Sequence, residues 1–351
     1  MKEIQLERYL NQIEILLKRG DILFMKIAFF ELEKWEEDYF KNKLKNHKLL
    51  FFEKELTTKD ISKIKDCDAL VVVLYSKINK QVINSLPKLK AIFTMSTGYD
   101  HIDINEAKKN NIVVYNVPFY GENTVAEFTF ALILSLSRKI IDSVERTKND
   151  NFSLKGLKGF DLKNKTLGVI GAGHIGQHVI KIANGFEMKV IACSNHKDKK
   201  LSKRLNFKYV NLENLLKNSD IISLHCPLTK ETEHIINMNN IKLIKKGSYL
   251  INTARGKLID TRALLWALDN DILAGAALDV LEQEEMMKHE NLVNKNNLNI
   301  FLENHKLLKE RNVIITAHNA FNTKEALMRI MNTTLENINN FKNNKKINLV
   351  I

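Results

Sequence analysis

The chain has 351 residues, 44% hydrophobic and 27% charged, which is ordinary for a globular protein and leaves room for about two domains. Its formal net charge of +13 is mostly lysine dispersed among asparagines, without the stripe of arginines and aromatics that tracks a nucleic acid, so the expected partners are small anions rather than nucleic acid. No apolar run approaches the roughly 18 residues that span a bilayer, no signal-peptide core opens the chain, and Cys67, Cys193 and Cys226 form no C-x-x-C pair. A reducing, cytoplasmic setting with no membrane partner and no metal site is expected.

Residues 1–24 read as an extension. Ile4, Leu6, Leu10, Ile13, Leu16 and Leu17 can form one face of a short helix, either a docking element or a stretch ahead of a true start at Met25. From Met25 strand-like runs recur at 26–30, 48–53, 69–74, 91–96 and 112–117, with helical patterns at 33–46, 79–85 and 104–110. Such alternation predicts a parallel sheet wrapped by helices. Residues 124–141 predict one helix, apolar on most sides and hence buried between domains or between subunits. Residues 147–165 predict a surface connection.

The stretch TLGVIGAGHIG (166–176) is the pivot of the chain. An apolar strand runs into Gly171, Gly173 and Gly176 in G-x-G-x-x-G spacing, a helical pattern follows, and a second strand arrives at 189–194. In that context the first glycine allows the tight turn, the second lets a pyrophosphate approach the backbone, and the third lets helix and strand pack closely. The helix N-terminus offers free N–H groups to the phosphates. Further strands are expected at 208–210, 221–226, 248–253, 274–280 and 312–316, and helices at 212–218, 239–245 and 261–269. The segment 285–311 is long for a loop, so a short helix is expected there. A last helix over 323–343, buried through Ala326, Leu327, Ile330, Leu335 and Ile338, is expected to return to the first domain. The fold class is therefore α/β, with two doubly wound parallel-sheet domains. A Rossmann-type cofactor domain (124–317) is inserted into a flavodoxin-like substrate domain (25–123 with 318–351).

Three ionisable residues follow strands of the second domain: Arg255, Glu284 and His318. Ligands of open α/β sheets bind beyond the carboxyl ends of the strands, so all three can face one crevice. Arg255 can grip a carboxylate bidentately. His318 can pass a proton to or from a carbonyl oxygen, with Glu284 holding the imidazole. Singly, each has a plainer reading: a surface ion pair, one of a solvated acidic run, and a satisfied cap.

Over residues 25 to about 341 the chain resembles the D-isomer-specific 2-hydroxyacid dehydrogenase family. The resemblance is carried by STGYDHID (96–103), NVPFYGENTVAE (116–127), the glycine turn, LHCPLTKET (224–232), INTARGKLID (251–260), AALDVLEQE (276–284) and TAHNAF (316–321). It implies an oxidoreductase that interconverts a 2-oxo acid and a D-2-hydroxy acid with NAD or NADP. Arg255 would bind the substrate carboxylate, and His318 paired with Glu284 would be the acid/base. Backbone N–H groups of Thr97 and Gly98, otherwise a plain turn, would cradle the carboxylate. Asp279 would hold the nicotinamide carboxamide. Thr124, His174, Ile175, His225, Pro227, Thr253 and Ala254 would line the cofactor. Tyr120, otherwise a packed aromatic, resembles the D-lactate branch, which points to pyruvate or a somewhat larger analogue. Phosphoglycerate or glyoxylate/hydroxypyruvate reduction, or a nucleotide-sensing corepressor-like role, are the alternatives. A homodimer through the cofactor domain, with helix 124–141 contributing, is also implied.

The chain departs from the family pattern in places. Glu285 and Ala317 stand where prolines usually flank the catalytic Glu and His. The second strand of the nucleotide fold usually ends in an Asp that binds the ribose 2′-OH. Here, 18 residues past Gly176, that position is Ser194, followed by Lys197. A hydroxyl with a nearby lysine accepts a 2′-phosphate where a carboxylate repels it, so NADP is favoured. The alternative is a solvated turn with NAD retained.

Overall fold

The computed structural model describes residues 24–351. The expected helical face at Ile4–Leu17 lies outside the described residues. The chain divides into two compact units: one runs to Tyr120 and resumes at Lys324–Ile351, and the other is Gly121–Thr323. The chain thus crosses after Tyr120 and after Thr323, rather than at 123 and 317, and His318 belongs with the second unit.

In the first unit, strands β1 (Lys26–Phe30), β2 (Lys48–Phe52), β3 (Ala69–Val72), β4 (Ala91–Thr94) and β5 (Val113–Tyr115) form a parallel sheet in the order β2-β1-β3-β4-β5. The continuous apolar runs of β3 and β4 are wholly buried, as expected of parallel strands covered on both faces. The helix Lys324–Lys342 returns to pack against β4, where Phe341 meets Phe93 edge-on with centroids 6.0 Å apart. Its buried face includes Ala326, Ile330 and Ile338 but turns toward Met331, Thr334 and Asn337, leaving Leu327 and Leu335 half-buried. The two polar members are accommodated because each is bonded. Thr334 donates to Ile330 O (2.9 Å) and Asn337 Nδ2 to Asn116 O (2.7 Å). Beyond this helix the backbone at Val350 and Ile351 exchanges hydrogen bonds with Val114.

In the second unit, β6 (Thr166–Ile170), β7 (Lys189–Cys193), β8 (Lys208–Tyr209), β9 (Ile221–Leu224), β10 (Ser248–Asn252), β11 (Leu273–Leu278) and β12 (Val313–Ile315) form a parallel sheet ordered β12-β11-β10-β9-β6-β7-β8. Sequence order reverses between β6 and β9, so the switch point where open sheets bind ligands lies at the carboxyl end of β6. Two expectations change here. Residues 124–141 are not one helix: Glu122–Ser137 is largely buried, the chain breaks with Lys139 at φ +53°, and a second helix, Ile140–Lys148, runs on to the start of the expected surface connection. The 239–245 helix shrinks to one 3-10 turn, Ile241–Leu243. The segment 285–311 carries two α-helices, Glu285–Lys288 and Leu298–Leu307.

Candidate active site

The glycine turn follows β6 and opens the helix His174–Gly185. Gly171 has φ +99°, and a Cβ there would lie 2.6 Å from the Cys226 N, so both conformation and space require glycine. A Cβ on Gly176 would sit 2.1 Å from Gly171 O, which is the close helix–turn contact expected of the third glycine. A Cβ on Gly173 meets nothing within 4 Å, so the turn is open at the position where phosphates approach. His174 is exposed and Ile175 packs partly on the core.

His225 follows β9. Its Nε2 lies 2.7 Å from Ser223 Oγ, and its Nδ1 is buried with no hydrogen-bond partner. Burial pushes the imidazole down to about 3, so the ring is neutral across the physiological range. The open Gly173 and the orphaned His225 nitrogen both fit a dinucleotide. Thr124 is buried, Thr253 Oγ1 lies 3.0 Å from Thr129 Oγ1, and Pro227 O accepts from Thr232 Oγ1 at 2.6 Å.

Ser194 directly follows β7 and is half-buried, and Lys197 is exposed. The nearest following carboxylate, Asp198, is taken up by capping the helix Lys199–Arg204, accepting from Lys200 N (2.8 Å) and Leu201 N (3.1 Å). Those backbone bonds, the one from Leu201 foremost, hold its carboxyl below the usual range.

Arg255, Glu284 and His318 follow β10, β11 and β12, three neighbours in the sheet. His318 has φ +52°, uncommon for a side-chain-bearing residue. The turn that imposes it hangs on buried Asp279. Its Oδ1 accepts from Thr316 Oγ1 (2.5 Å) and Asn319 N (2.8 Å), its Oδ2 from Ala320 N (2.8 Å), and its carbonyl from His318 N (2.9 Å). The imidazole so aimed donates from Nδ1 to Glu284 Oε1 at 2.6 Å, with both side chains largely buried. Asn252 sets the Arg255 loop: its Oδ1 accepts from Ala254 N (3.0 Å) and its Nδ2 donates to Arg255 O (2.9 Å), while Arg255 Nη1 donates to Ala254 O (2.8 Å). A Cβ on Gly256 would fall 2.0 Å from Leu281 O, so the arginine loop rests directly on the loop leading to Glu284.

Thr97, Gly98 and Tyr120 belong to the first unit. Thr97 Oγ1 donates to Val117 O (2.9 Å), Asn116 Nδ2 donates to Thr97 O (2.8 Å), and Gly98 O accepts from Ser96 Oγ (2.6 Å), which fixes the backbone after β4. Tyr120 O accepts from Arg329 Nε at 2.6 Å. Sequence reasoning missed Asn252 and Thr316 as supports. The available signal was a polar or acidic residue in or just after an apolar strand. Among the described residues no group of three His, Cys, Asp or Glu could hold a metal ion, and no helix is long and apolar enough to cross a membrane.

A doubly wound sheet with a glycine-lined phosphate turn, carrying an arginine and a Glu–His pair beyond adjacent strands, defines a dinucleotide-binding oxidoreductase domain. Residues 130–320 match the family model described as D-isomer specific 2-hydroxyacid dehydrogenase, NAD binding domain. A 2-hydroxyacid dehydrogenase homolog of Zymomonas mobilis is 38% identical over 92% of this chain and 98% of its own length. A glyoxylate reductase of Thermococcus litoralis is 38% identical over 76% and 78%. The solved structure of an Aquifex aeolicus D-lactate dehydrogenase complexed with NAD and lactic acid superposes with a TM-score of 0.84 at 35% identity, covering 92% of this chain and 97% of that one. The chain belongs to the D-isomer specific 2-hydroxyacid dehydrogenase family. Within it, the chain carries the family's NAD binding domain and is similar to the D-lactate dehydrogenases.

Proposed function

We propose that the protein reversibly reduces pyruvate or a somewhat larger 2-oxo acid to the D-2-hydroxy acid, with Arg255, Glu284 and His318 as the catalytic set. The observation that carries this reading is the 2.6 Å bond between His318 and Glu284 beside the Arg255 loop on adjacent strands. Gly171, Gly173, Gly176 and His225 would hold the cofactor, and Asp279 its carboxamide. When bound, the nicotinamide supplies hydride to the carbonyl carbon. Glu284 occupies Nδ1 of His318, so Nε2 is the nitrogen that delivers the proton to the carbonyl oxygen. Arg255 pairs with the carboxylate through its planar fork, and Thr97, Gly98 and Tyr120 are the residues of the first unit proposed to contact substrate. The glyoxylate reductase likeness favours glyoxylate or hydroxypyruvate as a second reading. NAD(P)H oxidation with pyruvate, 2-oxoisocaproate, phenylpyruvate, hydroxypyruvate and glyoxylate tests both, and no turnover with any of them would support a nucleotide-sensing role instead.

NADPH is proposed to serve at least as well as NADH. Ser194 and Lys197 stand where a carboxylate would repel the 2′-phosphate, and Asp198 is engaged as a helix cap. The ratio of kcat/KM for NADPH over NADH is expected to be one or more, and Ser194→Asp should shift it toward NADH by roughly tenfold, about 1.4 kcal/mol. A strong NADH preference in the parent protein would refute the idea.

Homodimer formation is also proposed. Ile140, Ile141 and Val144 on the helix Ile140–Lys148, with Phe152 and Leu154 beyond it, are exposed, and side chains of this kind grouped along one segment mark an interaction surface. Sedimentation of the parent should give twice the 40.5 kDa chain mass, with Ile141→Asp combined with Leu154→Asp shifting it to monomer. A monomeric parent would exclude the dimer.

A further inference from the structure

Glu282 takes no part in the chemistry proposed above, yet it is a carboxylate buried to 7% exposure two residues before Glu284. Burial of such a group is costly unless every oxygen finds a donor. Here Oε1 lies 3.0 Å from His234 Nε2, and Oε2 accepts from Thr261 Oγ1 (3.0 Å) and Thr261 N (3.4 Å). Its carbonyl accepts from Asn304 Nδ2 (2.8 Å), and Asn304 is fully buried in the helix Leu298–Leu307. The partners come from separate segments. His234 lies on the loop after β9, zippered to the arginine segment by His234 N to Lys257 O (2.8 Å) and Ile236 N to Leu258 O (3.1 Å). Thr261 opens the helix Thr261–Asp269, at the end of that same segment. Gly256 abuts Leu281 and Glu282 from the other side. Between this anchor and Glu284 stands only Gln283, held at φ +52°.

We infer that Glu282 is a positioning residue, tying the loop after β9, the Arg255 segment and the helix Leu298–Leu307 into one frame that aims Glu284 at His318. The inference rests on the catalytic reading above. A hydrophobic replacement leaves His234 and Thr261 without their acceptor and frees residues 282–284 to shift, whereas glutamine keeps an acceptor for Thr261 and offers His234 an amide.

The test measures kcat, cofactor Kd by NADH fluorescence, and the downfield proton resonance of the His318–Glu284 bond in parent, Glu282→Leu and Glu282→Gln. Glu282→Leu is expected to lose about 10- to 100-fold in kcat per cofactor-binding site, with Kd within about twofold and the resonance broadened or lost. Glu282→Gln should recover most of both. A Leu variant with lowered melting temperature but parental kcat per site and an intact resonance would overturn the inference, as would a Gln variant no better than Leu. Should Glu282→Leu not fold, His234→Ala at its half-exposed position replaces it: a kcat loss at unchanged Kd supports the inference, and parental kcat overturns it. Turnover that survives His318→Ala would instead end the catalytic reading, with the resonance still reporting on Glu282.

Discussion

Replacing His318 with alanine is expected to lower kcat by roughly 10²–10⁴-fold, the usual worth of a positioned general acid, while NAD(P)H binds with unchanged affinity. The expectation follows from how completely the imidazole is committed. Its backbone is fixed by the Asp279 turn and its Nδ1 is engaged by Glu284 at 2.6 Å, so the proton is carried by one imidazole held in one orientation. Steady-state turnover together with fluorescence titration of NADH checks both halves. Near-parental kcat would show that the proton comes from elsewhere, and lost cofactor binding would show that His318 holds the nucleotide unit together rather than acting on substrate.

Arg255→Ala is the second large effect. Removing one partner of a charge-assisted pair leaves the substrate carboxylate unmatched, a loss of roughly 10²–10³-fold in kcat/KM, about 3–4 kcal/mol. Both KM and kcat should suffer, because the same guanidinium holds the ground state and orients the carbonyl. Arg255→Lys should recover only part, since an ammonium cannot reproduce the planar fork. The loop itself should survive the change. Asn252 holds it through backbone groups of Ala254 and Arg255, and Gly256 packs on Leu281, none of which requires the guanidinium. Unaltered kcat/KM in Arg255→Ala would remove Arg255 from the site.

Much of the fold can be read from the sequence because strand runs and the glycine turn are local signals. Each expected strand appears, and all but the first are shortened at the carboxyl end, while the three glycines behave as their spacing predicts. The break at Lys139 is not legible, since neither glycine nor proline marks it and a lysine adopts φ +53° only under tertiary constraint. The buried face of the last helix keeps Ala326, Ile330 and Ile338 of the expected stripe but also takes in Thr334 and Asn337, which read as solvent-facing until their backbone acceptors are known. The same holds for the site. Arg255, Glu284 and His318 are visible as charged residues after apolar strands. Their supports Asn252, Thr316 and Glu282 acquire meaning only once β10, β11 and β12 are known to be neighbours.

The helix Lys324–Lys342 and the backbone pairing of Val350 and Ile351 with Val114 belong to the unit whose sheet is encoded first. During synthesis that sheet must wait, with one covering layer missing, until all of Gly121–Thr323 has left the ribosome. The nucleotide-binding half, encoded as one uninterrupted stretch, can mature before the half that precedes it in the message.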